Sequence, residues 1–167
     1  PWVGGMLTSA GVSAADGNYN LRGGIWAEFV DSLSMHYGGM NALRTGWVSN
    51  IMFEPQVGQN ILSAMIDAEP RITRVRYREI VELDHDAQRL WRVRFKRARH
   101  QYQTVEASVI IDCTELGDIV ARLGIACDTG MECGALVGED VAPAAANGIV
   151  QDLTYVAVLE AAPSPVA

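Results

Sequence analysis

The segment best suited to hold a ligand is a glycine-rich stretch close to the start of the chain. Between Gly4 and Asn18, four glycines are interleaved with small hydroxyl and apolar residues, and charge is almost absent. Glycine lets the backbone approach a ligand closely and adopt a positive φ without steric cost. Thr8, Ser9 and Ser13 add short hydrogen-bond donors. The pattern is typical of a loop that holds a phosphate-rich or planar aromatic ligand, and it is equally typical of a mobile glycine-rich loop or a frayed chain end.

A second segment combines a strand, a turn with glycine and a short helix. The run from Val109 to Cys113 is mostly apolar, which predicts a buried parallel strand, and a helix ending near Gly124 follows. Ligands of open parallel sheets bind beyond the carboxyl ends of strands, so the intervening turn is a candidate ligand contact. Asp112 and Asp118 could orient ligand hydroxyls there or cap the helix, and both roles stay open.

Two amphipathic helices are predicted in the first half of the chain. Apolar residues recur at three- and four-residue intervals from Leu21 to Tyr37, and the glycines that follow end this helix. A second helix is expected from about Glu54 to Ala68, with Pro55 in its first turn and Pro70 after its end.

The region 72–111 alternates apolar and polar residues with a period of two. Three consecutive strands of this kind predict an antiparallel meander. In its middle strand, Trp91, Val93 and Phe95 are expected on the packed face and Arg92, Arg94 and Lys96 in solvent. A last strand is predicted from Leu153 to Leu159.

Four motifs, in order along the chain, resemble the FAD-dependent oxidoreductases of the glutathione-reductase-like superfamily. They are Pro1–Thr8 with Gly11–Ser13 and Asp16–Asn18, then Leu21–Phe29, then Phe53–Gly58, then Ile111–Asp118. The resemblance implies an α/β fold: a partial, Rossmann-like FAD-binding domain over residues 1–160 with the antiparallel meander at 72–111 inserted. Residues 161–167 would be a linker toward a missing substrate domain.

The resemblance also implies a cofactor, a reaction and a set of contacts. The cofactor is FAD, and the reaction is hydride transfer between a small-molecule substrate and flavin N5. The implied cofactor-binding residues are Gly4, Gly5, Met6, Leu7, Thr8, Ser9, Gly11 and Val12 on one side, and Thr114, Glu115, Gly117 and Asp118 on the other. Glu54 lies in a motif that the family keeps, and no catalytic residue is assigned. Asn18 and Arg22 lie near the glycine-rich stretch and could meet an anionic substrate, but a turn asparagine and a surface arginine are the more common roles of such residues.

One family feature is missing from these 167 residues. Members begin with a strand, a G-x-G-x-x-G turn and a helix that hold the pyrophosphate, followed by an acidic residue that binds ribose. No such turn occurs here. We therefore expect a fragment or a truncated product that binds FAD only at micromolar to millimolar concentrations.

Composition and charge leave two alternative functions open. The chain is 49% hydrophobic with a net charge of −7, which indicates a globular protein, and no apolar run is long enough for a membrane span. Ten of the 13 basic residues lie between Arg71 and Arg99, so a nucleic-acid module is one alternative, although the alternation favours a solvated strand face. The other alternative is a non-catalytic remnant or interaction module without flavin. Cys113, Cys127 and Cys133 are irregularly spaced, which predicts reduced thiols and no metal site.

Overall fold

The chain divides into two compact units. The computed structural model describes residues 2–15, 20–21, 23–46, 49–77, 79–85, 90–152, 156–157 and 159. The first unit comprises Pro1–Arg74 and Thr154–Ala167, and the second comprises Val75–Leu153. Each unit has buried apolar residues of its own.

The first unit is helical. A short 3₁₀ turn, Gly5–Leu7, precedes helices α1 (Gly24–Tyr37), α2 (Met40–Leu43) and α3 (Pro55–Asp67). The two predicted helices, α1 and α3, are therefore confirmed, with ends that differ by at most three residues from the sequence pattern. Helix α2 was not predicted, because four residues are too few to show a helical period.

The core of the first unit forms where α1 and α3 pack together. The Phe29 ring of α1 meets the Phe53 ring edge to face, with 5.4 Å between the ring centroids. The other buried members of this core are Val30, Leu33, Leu43, Ile51 and Val57. Burial of so many large apolar side chains in one cluster makes it the main stabilising feature of this unit.

The end of α1 is tied to the start of α3. Gly38 ends α1 in the left-handed conformation, with φ 78°, and its amide donates to the carbonyl of Ser34. The amide of Glu54, just before α3, donates a hydrogen bond of 2.9 Å to the Tyr37 hydroxyl oxygen. A side chain at the last position of one helix therefore fixes the first turn of the other.

The second unit contains the predicted meander. Strands β1 (Glu79–His85), β2 (Trp91–Ala98) and β3 (Gln101–Ala107) form an antiparallel sheet in sequence order. Along β2, Val93 is buried while Trp91 and Phe95 are half-buried, and Arg92 and Arg94 are exposed. The predicted facing is thus confirmed, except that Lys96 is half-buried.

Three of the four basic side chains of β2 lie opposite acidic side chains of the neighbouring strands. The pairs are Arg92 with Glu106 at 3.0 Å and with Asp84 at 3.5 Å, Arg94 with Glu82 at 3.6 Å, and Lys96 with Glu79 at 3.8 Å. Such exposed pairs contribute little to stability. Their consequence is electrostatic, because the positive charge of β2 is largely balanced within the sheet.

The predicted strand from Val109 to Cys113 is wrong. These residues lie outside the strands, and Val109 and Ile111 are 69% and 79% exposed. A parallel strand needs a neighbour to pair with, and the sheet formed by the described residues contains only β1, β2 and β3. Residues 72–77, which were predicted as the start of the meander, also lie outside the strands. Of the last predicted strand, residues 153–155 and 158 lie outside the described residues.

Two short helices complete the second unit. The predicted helix ending near Gly124 is confirmed as α4 (Asp118–Arg122), and α5 (Gly134–Val137) follows it. Among the described helices, none is long and apolar enough to cross a membrane.

Candidate functional site

The glycine-rich loop of the first unit presents bare backbone at its surface. Gly4 has φ 108°, and a Cβ there would stand 2.7 to 2.8 Å from atoms of Leu62 and Thr8. Gly5 also has a positive φ, of 49°, but a Cβ there would meet no other atom within 4 Å. Gly5 and Met6 are exposed. Glycine is thus required at position 4 by the fold, whereas the space over Gly5 is open to a ligand.

The hydroxyl groups of the loop serve the loop itself. Thr8 is 1% exposed, and its hydroxyl donates to the Val3 carbonyl at 2.5 Å. Ser13 is 8% exposed and donates to the Leu7 carbonyl at 3.0 Å. The expectation that these two hydroxyls are donors for a ligand is therefore wrong, because they satisfy carbonyl groups of the tight turn.

The loop is seated on α3. A Cβ at Gly58 would lie 2.5 Å from the Phe53 ring and 3.5 Å from the Thr8 methyl group, so the helix surface is closely covered there. The amide of Val3 donates to the Gln59 side-chain oxygen at 3.1 Å. These contacts give the loop one position on the helix.

A groove of about 530 Å³ lies beside the loop and brings two of the sequence motifs together. Its lining residues are Gly11, Val12, Ser13, Ala14, Tyr37, Ala42, Thr45, Met52, Phe53, Glu54, Pro55, Val156 and Ala157. The amide of Phe53 donates to the Ser13 carbonyl at 3.1 Å, which joins the motifs through their backbones. Among the described residues that line the groove, Glu54 is the one charged residue.

Asp112 organises the predicted turn of the second unit. Its carboxylate accepts hydrogen bonds from the amides of Thr114 at 2.9 Å, Ile119 at 3.0 Å and Val120 at 3.2 Å. The Thr114 hydroxyl oxygen accepts a further bond, of 2.7 Å, from the amide of Asp118. Gly117, with φ 66°, makes the sharp turn into α4 that these bonds require.

Asp112 and Thr114 therefore cap α4, and the proposed capping by Asp118 is wrong. Hydrogen bonds from the Thr114 amide, then from the Thr114 side chain, and then from the amides of Val120 and Ile119 hold the pKa of Asp112 below its ordinary value. Of the two roles left open for Asp112, capping is the one that its hydrogen bonds show. The side chain of Asp118 is exposed at the first position of α4.

We expect replacement of Asp112 by asparagine to loosen this turn. Because the pKa of Asp112 is lowered in the folded chain, the carboxylate stabilises the turn fully above its ordinary pKa of about 4, and this stabilisation is lost as the pH falls from there through the lowered pKa. Amide hydrogen exchange of Ile119 and Val120 should become several-fold faster in Asp112→Asn at neutral pH. The same acceleration should appear in the unsubstituted chain only at acidic pH.

Glu115→Gln is the matched control, because Glu115 is an exposed carboxylate of the same turn. It should leave the exchange of both amides unchanged. Equal exchange rates in Asp112→Asn and the unsubstituted chain at neutral pH would contradict the assignment of Asp112 as the cap.

The predicted cofactor contacts belong to both units. Gly4 to Val12 lie in the first unit and Thr114 to Asp118 in the second. Asn18 and Arg22, for which a substrate contact was one alternative, lie outside the described residues. Sequence reasoning missed Tyr37, which lines the groove, because a tyrosine at the end of a helix carries no functional signal. Within the described residues, no group of three His, Cys, Asp or Glu side chains is placed to hold a metal ion.

Comparison with protein-family models identifies the class of protein. Residues 1–165 match the family described as FAD dependent oxidoreductase. The chain belongs to this family, and its cofactor is FAD. A search of curated proteins gave no match, and a search of solved structures gave none either.

The residues of the loop fit a flavin cofactor. FAD offers a flat apolar ring system and a chain of hydroxyl and phosphate groups, and bare backbone with open space above Gly5 accommodates either part. The exposed carboxylate of Asp118 suits a ligand hydroxyl group. When bound, FAD supplies the two-electron redox chemistry, while the protein supplies position and electrostatics.

Proposed function

We propose that this chain holds FAD for hydride transfer between a small organic substrate and the flavin. The observation that carries the proposal is the loop from Gly4 to Val12, which is exposed over Gly5 and Met6 yet fixed by its own hydroxyl groups and by α3. A loop ordered before binding presents its backbone groups to a ligand without first having to fold. The family membership identifies that ligand as FAD.

The proposed contacts differ in kind between the two segments. In the first unit, the backbone of Gly4, Gly5 and Gly11 lies against the cofactor, and the side chains of Met6, Leu7 and Val12 add apolar contact, while Thr8 and Ser9 shape the loop. For the second unit, taken by itself, the proposal is that the exposed Asp118 carboxylate accepts a hydrogen bond from a ligand hydroxyl group. Thr114, Glu115 and Gly117 shape the turn that carries it.

The two alternative functions, a module without flavin and a nucleic-acid module, have less support than FAD binding. Family membership favours a flavoprotein over a module without flavin. The acidic partners of the β2 bases argue against a nucleic-acid surface, since phosphate binding depends on uncompensated positive charge. We therefore keep a small molecule as the partner and propose neither a nucleic-acid nor a membrane partner.

Titration of the isotope-labelled chain with FAD, followed by the amide signals in NMR spectra, tests the proposal. We expect shifts at the loop residues and at the turn of Asp118, and none in β1 to β3. Gly5→Ala should weaken FAD binding by about tenfold, which corresponds to roughly 1.4 kcal/mol, because the added methyl group enters the open space above the loop.

Gly38→Ala is the matched control for Gly5→Ala. It also places an alanine at a positive φ, of 78°, where a Cβ meets nothing within 4 Å, so the backbone strain is similar. It should leave FAD affinity unchanged. Equal weakening by both variants, or shifts confined to the sheet, would refute the proposed cofactor site.

A further inference from the structure

We propose that the groove beside the glycine loop binds a small, mainly apolar ligand with a positively charged amine, recognised by Glu54 and Tyr37. That this ligand is the substrate rests on the proposed function. The binding itself depends only on residues of the first unit. Nothing in the family match assigns a role to this groove.

The size and lining of the groove suit a small organic molecule. Its volume of about 530 Å³ lies within the range of small-molecule sites. Most of the lining is aliphatic or aromatic: Val12, Ala14, Ala42, Met52, Phe53 and Pro55. Such a lining with few polar groups favours a ligand that is itself mostly apolar, because burial of apolar surface drives its binding.

Glu54 gives the groove its charge preference. It is the one charged residue among the described lining residues, and its side chain makes no capping hydrogen bond to α3. The carboxylate is therefore not used by the helix that begins beside it. A negative charge at the edge of an apolar groove attracts an ammonium group and repels a carboxylate of the same size.

Tyr37 supplies a fixed polar group next to Glu54. Its hydroxyl oxygen accepts the amide proton of Glu54 at 2.9 Å, which holds the hydroxyl in place at the edge of the groove. A phenol has one proton to donate besides its capacity to accept. That proton can serve a ligand acceptor, so Glu54 and Tyr37 together recognise a ligand that carries both a donor and an acceptor.

Two probes of one shape and opposite charge test the proposal. The full chain is titrated without FAD, first with benzylamine and then with benzoate, and the amide signals are followed by NMR. We expect benzylamine to shift the signals of Ala14, Ala42 and Phe53, with an affinity about tenfold higher than that of benzoate. Equal affinities, or shifts that miss the groove, would overturn the proposal.

Variants assign the charge preference to one carboxylate. In Glu54→Gln, benzylamine should bind about as weakly as benzoate. Glu28→Gln, which neutralises an exposed carboxylate of α1 outside this groove, should keep the tenfold preference. In Tyr37→Phe, with amide spectra showing that the fold is kept, benzylamine should bind as before, because its ammonium group offers no acceptor to the Tyr37 proton, whereas 4-(aminomethyl)benzamide, which carries a carbonyl acceptor, should bind several-fold more weakly. A preference that survives in Glu54→Gln would overturn the role of Glu54.

The outcome is separable from that of the proposed cofactor site. If FAD shifts the amide signals of the loop but benzylamine and benzoate bind equally well, only the inference about the groove is overturned. A charge preference in the groove with no response to FAD would remove only the proposed cofactor site, because the two titrations use different ligands and report on different residues.

Discussion

Replacement of Phe29 by alanine should lower the free energy of unfolding of the first unit by about 3–5 kcal/mol. Phe29 is 2% exposed, and its ring packs against Phe53 and lies 6.1 Å from the Trp26 ring, between centroids. Removing it loses the buried apolar surface and leaves a cavity in the centre of the core. Amide hydrogen exchange of α1 and α3 in increasing urea measures the loss, because it reports on each unit separately.

The control for Phe29→Ala is Ile25→Ala in the same helix. Ile25 is 74% exposed, so its truncation should change the free energy of unfolding by only about 0.5 kcal/mol or less. Phe29→Leu keeps most of the apolar volume and should fall between the two. Similar losses in Phe29→Ala and Ile25→Ala would contradict the packing of α1.

Gly58→Val should destabilise the same unit by about 2–3 kcal/mol through overpacking. Replacing a glycine inside a helix by valine normally raises helix propensity. The expected loss of stability is therefore opposite in sign to the effect of helix propensity. The reason is the 2.5 Å separation between a Cβ at this position and the Phe53 ring, with Thr8 next to it. The buried Phe53 ring must move, or α3 must shift away from it, to admit the larger side chain.

Ala64→Val provides the matched control for Gly58→Val. It introduces the same β-branched side chain into α3 at an exposed position, so it should cost no more than about 0.7 kcal/mol, the difference in helix propensity. Urea unfolding followed by hydrogen exchange of α3 compares the two variants. Equal losses of stability in Gly58→Val and Ala64→Val would contradict the close packing of Phe53 and Thr8 against α3 at Gly58.

The regular elements were predictable where a short-range pattern specifies them. The spacing of Phe29, Val30 and Leu33 identifies α1, and the alternation around Val93 identifies the middle strand of the meander. These patterns reflect which side of one element is buried, and they do not require knowledge of a partner. The apolar run from Val109 to Cys113 failed for the opposite reason, since a parallel strand is defined by its neighbours.

The hydrogen-bond partners of the polar side chains in the candidate site could not be predicted from the sequence. Asp118 stands where a capping residue is expected, yet the cap of α4 comes from Asp112, several residues before the helix. The hydroxyl of Thr8 could face outward or inward, and only the fold brings the Val3 carbonyl within reach. The choice of hydrogen-bond partner depends on how the turn closes, and this is a tertiary property.

The inward hydroxyl of Thr8 has a consequence for how affinity is distributed. Fixing the backbone of one residue costs about 1–2 kcal/mol of conformational entropy. In this loop the backbone is already fixed when the chain folds, before any ligand binds. A ligand that docks on Gly5 then loses its own freedom but does not have to restrict the loop. In the proposed cofactor site, side chains such as Thr8 and Ser13 would thereby affect ligand affinity without touching the ligand, because they limit the number of conformations that the empty loop can adopt.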